Sequence, residues 1–160
     1  MLALAIKAEL NGVTDLIPQD SEQNPFYYTF KVQCTSCREV HPNWVSVSRH
    51  EQNEQSGSRG EANFVWRCKN CKREHSANIL EAPKSYAQQD PPKQMNVIIM
   101  DCRGLEFIEF KADGEWQAVG LESGTKFSGI DLTEGEWFDY DEKAGEEVSI
   151  TNVQWDIRRA

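Results

Sequence analysis

Two Cys-x-x-Cys pairs, Cys34-Thr35-Ser36-Cys37 and Cys68-Lys69-Asn70-Cys71, are separated by thirty residues of this chain. A Cys-x-x-Cys turn places two sulfurs about one ion diameter apart, and two such turns supply the four soft ligands that tetrahedral zinc prefers. A β-hairpin with an extended loop fits the spacing between the pairs. The sequence therefore predicts a closed site for one Zn²⁺ ion, whose ligands are Cys34, Cys37, Cys68 and Cys71.

A histidine follows each pair, four residues after the second cysteine, at His41 and His75. Histidine can bind zinc, but four sulfurs already complete a tetrahedral shell. We therefore expect both histidines to be polar, solvated neighbours of the site rather than ligands.

Basic residues crowd the two pairs. A zinc ion with four thiolates carries a net negative charge, which neighbouring cations stabilise. The alternative is a small basic face that binds an acidic partner. The residues concerned are Arg38, Arg67, Lys69, Lys72 and Arg73.

The net charge of −9 is unevenly distributed along the chain. Residues 1–83 carry ten acidic and nine basic side chains, whereas residues 84–160 carry sixteen acidic and eight basic ones. Such a chain repels a phosphate backbone except through a local basic patch, which argues against nucleic-acid binding. Reduced thiols arranged for metal fit the cytosol, and no segment reaches the roughly 20 apolar residues of a membrane span. We expect a protein of the cytosol, with the nucleus as the alternative location, whose residues 1–10 form a strand and not a signal peptide.

Strand patterns dominate the sequence, and no window keeps a clean helical period, so we expect a mainly β fold. The expected strands cover residues 2–10, 26–33, 44–49, 63–67, 77–80, 96–101, 105–111, 115–121 and 148–158. Short helical turns are expected at residues 85–89 and 132–137, and loops at residues 50–60 and 82–93. We expect a zinc-binding β half at residues 1–83, a linker at 84–93 and an acidic β half without metal ligands at 94–160. The halves could also pack as one compact unit.

The two halves show traces of a duplication. An apolar strand is followed by Asn11-Gly12 in the first half and by Arg103-Gly104 in the second. Residues 64–79 also align without gaps on residues 137–152, which places Cys68 on Asp141 and Cys71 on Ala144. The counterpart of the first pair would be the loop at residues 121–125. We therefore expect a degenerate duplication, of which only the first copy keeps metal ligands.

Two further groups of residues carry less information. Cys102 follows an apolar strand, and we expect a half-buried structural residue; a reactive or metal-relaying thiol would need a lowered pKa. Asp139 and Asp141 lack the later ligands of a calcium loop and any neighbouring nucleophile, so we expect a charged hairpin tip.

The sequence resembles the eukaryotic CXXC-motif-containing zinc-binding proteins along essentially its whole length. The resemblance rests on the two cysteine pairs and on Ser58-Arg59-Gly60, Cys102-Arg103-Gly104-Leu105-Glu106, Glu122-Ser123-Gly124-Thr125 and Asp139-Tyr140-Asp141-Glu142-Lys143-Ala144. It implies an all-β protein with pseudo-twofold-related halves and a four-cysteine zinc site. It implies no particular activity.

Two functions fit these features. The first is a non-catalytic module with a structural zinc ion that binds another protein as a monomer, through the acidic half or the loop at residues 50–60. The alternative is metal handling, meaning transfer of zinc or copper, because paired thiolates also suit Cu(I). Thiol–disulfide chemistry would need a pair at a helix N-terminus, and hydrolysis would need an open metal position, so we expect no enzyme activity.

Overall fold

The computed structural model describes residues 1–56 and 60–160, in which all regular secondary structure is β. The mainly β class expected from the sequence is confirmed. The strands are β1 (Leu2–Asn11), β2 (Val13–Pro18), β3 (Tyr28–Cys34), β4 (Val45–Val47), β5 (Asn53–Glu54), β6 (Glu61–Ala62), β7 (Phe64–Arg67), β8 (Glu74–Ile79), β9 (Met95–Arg103), β10 (Leu105–Lys111), β11 (Trp116–Gly120), β12 (Lys126–Ile130), β13 (Trp137–Asp141) and β14 (Glu146–Arg159).

The two expected helical turns are wrong. Residues 133–135 form a turn and a bend before β13, and Tyr86 lies in extended backbone that bridges to Leu16. Tertiary contacts override local preference here, because the buried Tyr86 hydroxyl also donates a 2.6 Å hydrogen bond to the carbonyl of Lys93. The expected loop at residues 50–60 contains β5, which pairs with β6, while residues 57–59 lie outside the described part of the chain. That part contains no helix long and apolar enough to cross a membrane.

The sheets have a pseudo-twofold arrangement. The largest sheet has the order β13-β14-β1-β9-β8-β7, so reversing it exchanges β1 with β9, β14 with β8, and β13 with β7. Two three-stranded sheets, β10-β3-β4 and β2-β11-β12, are exchanged by the same operation. The topology therefore contains the duplication expected from the sequence.

Each small sheet also takes one strand from the opposite half of the chain. β10 pairs with β3, and β2 pairs with β11, so both pairings cross from one half to the other. The central pair, β1 with β9, crosses as well. The division into residues 1–83, 84–93 and 94–160 stays a prediction.

Glycine hinges make this exchange of strands possible. Gly12 links β1 to β2 with a φ of 75°, and Gly104 links β9 to β10 with a φ of 80°. Both values lie in the left-handed region that glycine adopts without steric cost. The carbonyl of Gly12 accepts from Leu121 N at 2.9 Å, and that of Gly104 accepts from Thr35 N at 3.0 Å. Leu121 follows β11, which pairs with β2, and Thr35 follows β3, which pairs with β10. Each hinge is therefore hydrogen-bonded to the residue that follows the pairing partner of its next strand.

Candidate metal centre

The four predicted ligand sulfurs form one cluster. Their Sγ atoms all lie within 4.8 Å of one another, with 3.6 Å between Cys34 and Cys71 and 3.6 Å between Cys37 and Cys68. A tetrahedral ion with Zn–S bonds of about 2.3 Å requires sulfur–sulfur separations of about 3.8 Å. The cluster therefore has the dimensions of a four-thiolate zinc shell.

Two matching turns, which we call the knuckles, present these sulfurs. In the first knuckle, residues 34–39, Arg38 N donates to Cys34 O at 2.9 Å and Arg38 has a φ of 67°. In the second, residues 68–73, Lys72 N donates to Cys68 O at 2.9 Å and Lys72 has a φ of 65°. The left-handed residue after each pair returns the chain, so that both sulfurs of a pair point to the same side.

The cluster is closed on its inner side. Cys34 and Cys68 are buried, whereas Cys37 and Cys71 are half-buried at the rim. A hydrogen bond from Asn70 and one from the backbone of Glu39 lower the pKa of the Cys37 thiol to about 6. The pKa of Cys71 is raised to about 11, because burial and the neighbouring sulfurs outweigh a backbone hydrogen bond from Arg73. A thiolate is thus favoured at Cys37 and opposed at Cys71, and a bound cation would favour ionisation of Cys71.

His75 departs from the expectation of a solvated side chain. It is buried, and its Nε2 lies 3.3 Å from Cys34 Sγ. A metal-bound Cys34 thiolate would carry no proton, and the imidazole N–H would then be the donor in this contact. A Cβ at position 104 would lie 2.0 Å from His75 Nδ1, which explains why glycine stands there. His75 lies inside β8, where it pairs with Trp66 of β7, whereas its spacing from the cysteine pair is the same as that of His41 and does not separate the two histidines.

Replacing His75 tests whether this hydrogen bond holds the metal. We expect His75→Phe to release zinc to excess chelator about tenfold faster than the wild type, because loss of such an outer donor commonly costs that much. His75→Gln, whose amide can still donate, should release zinc close to the wild-type rate. The measurement is chelator-coupled absorbance, with the Co²⁺-substituted charge-transfer band as an independent reporter of the Cys34 thiolate.

The matched control is His41→Phe. The ring centroids of His41 and Trp66 lie 6.0 Å apart, and none of the described contacts joins His41 to a sulfur atom. Equal zinc release from His75→Phe and His41→Phe would contradict the proposed role of His75.

The five basic residues around the knuckles are exposed. Arg67 Nη1 donates to the carbonyl of Lys72 at 2.8 Å, and Gln33 Nε2 donates in the same way to the carbonyl of Arg38 at 3.0 Å. Each contact satisfies a backbone carbonyl of a knuckle. Arg67 therefore stabilises the second knuckle by donating to the carbonyl of Lys72.

Cys102 does not belong to the sulfur cluster. It lies in β9 opposite Ala77 and is half-buried. Burial raises its pKa to about 12, with Asp101 and Glu106 adding to the effect against the N-terminal amine. The structure thus lacks the lowered pKa that a reactive thiol would need.

The second half repeats the turn geometry of the first knuckle without cysteine. Gly124 N donates to Gly120 O at 3.0 Å, as Arg38 N does to Cys34 O. Gly124 has a φ of 71°, close to that of Arg38. Ser123 therefore takes the place of Cys37, one residue before the left-handed position.

The turn after β13 repeats the second knuckle in the same way. Gly145 N donates to Asp141 O at 2.7 Å, and Gly145 has a φ of 70°. The positions equivalent to Cys34, Cys37, Cys68 and Cys71 are therefore Gly120, Ser123, Asp141 and Ala144. The alignment of Cys68 with Asp141 and of Cys71 with Ala144, expected from the sequence, agrees with this geometry.

A carboxylate joins the two turns of the second half. Asp141 is 1% exposed and is not part of an exposed hairpin tip. It accepts hydrogen bonds from Ser123 Oγ at 2.5 Å, Thr125 Oγ1 at 2.8 Å and Ala144 N at 3.2 Å. A Cβ at Gly120 would lie 2.6 Å from Asp141 Oδ2, so the carboxylate fills the space toward which the missing thiolates would point. In the second half, hydrogen bonds thus connect the two turns that are equivalent to the knuckles, which the sulfur cluster connects in the first half.

Asp141→Asn should weaken this connection. The hydrogen bond from Ser123, followed by that from Thr125 and the backbone of Ala144, lowers the pKa of Asp141. Because the folded pKa lies below the ordinary value of about 3.9, the ionised carboxylate stabilises the fold above that pH. The stabilisation is lost as the pH falls through the lowered pKa. We expect a melting temperature about 5 °C or more below wild type at neutral pH.

The check is the difference in melting temperature between the wild type and Asp141→Asn from neutral pH to about pH 3. The difference should be constant at neutral pH and should narrow below about pH 4, because the carboxylate of the wild type then becomes protonated. Zinc loss in acid is common to both proteins and should cancel in the difference. A difference that is zero at neutral pH would show that the carboxylate does not join the turns.

An all-β protein with two pseudo-twofold halves and four clustered cysteines in one of them belongs to the class of small zinc-binding β proteins. The sequence profile described as CXXC motif containing zinc binding protein, eukaryotic, matches residues 3–158. The chain belongs to this family.

Individual relatives agree with the assignment. The UPF0587 protein of Schizosaccharomyces pombe is 49% identical over 99% of this chain and 98% of its own length. The mouse CXXC motif containing zinc binding protein is 39% identical over 95% of this chain and 94% of its own. The crystal structure of C1orf123 superimposes with a TM-score of 0.90 and 37% identity over 99% of both chains. A hypothetical protein from Plasmodium falciparum, 21% identical over 98% of both chains, shares the fold with a TM-score of 0.86.

Proposed function

We propose that this chain is a non-catalytic module in which one zinc ion, held by Cys34, Cys37, Cys68 and Cys71, stabilises a surface that binds another protein. The expected protein is a cytosolic monomer. A closed shell of four thiolates supports the absence of hydrolytic chemistry, because it leaves no coordination position for water or substrate. Neither knuckle opens a helix, which argues against thiol–disulfide exchange.

One observation carries the structural role of the metal. In the second half, the equivalent pair of turns is joined by the Asp141 carboxylate with Ser123 and Thr125. The same geometric task is thus performed without metal at the symmetry-equivalent place. Hydrogen bonds perform in the second half the connecting task that the zinc ion would perform in the first. This supports a structural role for the zinc ion.

The deciding experiment is a chelator challenge followed by native mass spectrometry, with thermal melting of the same samples. A structural ion predicts one zinc per chain that is retained for hours, and unfolding of the protein when the zinc is removed. The alternative, transfer of zinc or copper, predicts rapid exchange or preferential uptake of Cu(I) without unfolding. Zinc loss within seconds from a protein that stays folded would overturn the structural role.

A further inference from the structure

An exposed aromatic pair lies on β13, at the edge of the six-stranded sheet. Phe138 is 64% exposed and Tyr140 is 51% exposed. Residues two apart in a strand project from the same face, so the two rings are neighbours. They line an open cleft of about 660 Å³ whose other walls are Asp139, Glu147, Val148 and Ser149.

The fold itself does not require aromatic residues at these positions. The pseudo-twofold operation exchanges β13 with β7, where the equivalents of Phe138 and Tyr140 are Val65 and Arg67. Val65 is half-buried and Arg67 is exposed, and β7 pairs with β8 in the same register as β13 with β14. The exposed aromatic pair is therefore present in β13 and absent from the equivalent positions of β7.

The surroundings of the pair are strongly acidic. Residues 134–147 contain six exposed carboxylates, whereas their one basic side chain is Lys143. One of the carboxylates, Glu147, lies directly opposite Tyr140 in the register of β13 and β14. The six are Glu134, Glu136, Asp139, Glu142, Glu146 and Glu147.

The backbone of β13 is partly protected against pairing with another strand. The N–H of Tyr140 donates to its neighbour Asp139 Oδ1 at 2.7 Å. A charged side chain that occupies an edge donor is a common protection against strand addition. A ligand of this surface is therefore expected to use the side chains of the face more than the strand edge.

We propose that this surface, the aromatic–acidic face formed by Phe138, Tyr140, Glu147 and Ser149, binds an extended arginine-rich segment of a partner protein. A guanidinium stacks on an aromatic ring and at the same time donates to a carboxylate. Tyr140 and Glu147 offer both partners side by side, and the surrounding carboxylates attract a cationic chain. This inference rests on the proposed function as a protein-binding module, and it specifies the surface and the chemistry of the partner.

The test is fluorescence anisotropy of a labelled Gly-Arg repeat peptide with the zinc-loaded full chain. Binding should weaken strongly when the ionic strength rises from about 0.01 M to about 0.15 M, because the Debye length falls from about 30 Å to about 8 Å. The variant Phe138→Val/Tyr140→Arg installs the pair found in β7. Its affinity for the peptide should be lower than that of the wild type by a factor of about ten or more. The control Leu80→Ser/Ile108→Ser, which removes two other exposed apolar residues, should bind as the wild type does.

Four results would overturn the inference. The first three are equal binding by the β13 variant, binding of a Gly-Glu repeat peptide as tightly as the Gly-Arg peptide, and the absence of any binding by the wild type. A dimer of the protein alone that the β13 variant dissociates in sedimentation would also overturn it, because a second copy would then occupy the face. Zinc retention in the same samples separates this failure from failure of the structural-zinc proposal.

Discussion

Cys68→Ser is expected to purify without zinc and to melt about 20 °C or more below the wild type. Cys68 is buried at the inner side of the cluster, where a serine hydroxyl is a poor ligand for zinc. A structural zinc ion contributes about 10–16 kcal/mol to folding, whereas a whole domain is stable by about 5–15 kcal/mol. Losing the ion therefore removes a contribution as large as the net stability. Metal analysis and differential scanning calorimetry measure the two effects.

The matched control is Cys102→Ser, which removes a half-buried thiol outside the cluster. We expect this variant to keep its zinc and to melt within a few degrees of the wild type, because surface and half-buried changes of this size are usually mild. Full zinc content in Cys68→Ser together with an unchanged melting temperature would show that the four-cysteine site is wrong.

A second zinc site is expected when the second half receives the ligands of the first. The four replacements are Gly120→Cys, Ser123→Cys, Asp141→Cys and Ala144→Cys. Gly124 and Gly145 already supply the left-handed residue that follows each pair, and the turn hydrogen bonds already match. The two atoms nearest to a Cβ at position 120, Ser123 Oγ and Asp141 Oδ2, are both replaced by thiols, which have to rotate toward the metal to leave room for that Cβ. The zinc content should rise from one ion per chain to two.

The stoichiometry is measured by native mass spectrometry, and Co²⁺ substitution should double the intensity of the thiolate charge-transfer bands. A three-cysteine variant that keeps Ala144 is the control, and it should bind its second metal much more weakly. If the four-cysteine variant folds in the presence of excess zinc and still holds one ion, the two pairs of turns are not geometrically equivalent.

Much of the fold could be predicted from local patterns. The expected strand at residues 105–111 coincides with β10, and the expected strand at 2–10 is one residue shorter than β1. Alternation of apolar and polar residues, together with β-branched side chains, predicts such strands directly. β2 and β12 are absent from the expected strands because β2 contains Asp15 and Pro18 and β12 contains Gly129, residue types that strands disfavour. β13 was missed because its exposed face is aromatic while a buried position holds the charged Asp141.

The environment of each site residue was harder to predict than its identity. His41 and His75 have the same spacing from their cysteine pairs, yet only His75 points inward and contacts Cys34 Sγ. The difference arises because His75 lies in a strand covered by the hinge at Gly104, a contact between residues far apart in sequence. Asp141 appeared as one of several charges in a loop-like segment, and its burial depends on donors from the turn after β11.

The sequence by itself determined the β class, the four cysteines that can share a metal ion and the correspondence of Cys68 with Asp141, because ligand chemistry and strand periodicity are local properties. The tertiary structure alone decided which strands are exchanged between the halves, which histidine supports the cluster and what replaces the metal in the second half. Those features depend on contacts across the pseudo-twofold axis. A sequence pattern specifies the side chains available for such contacts, whereas the packing of distant strands decides which of them meet.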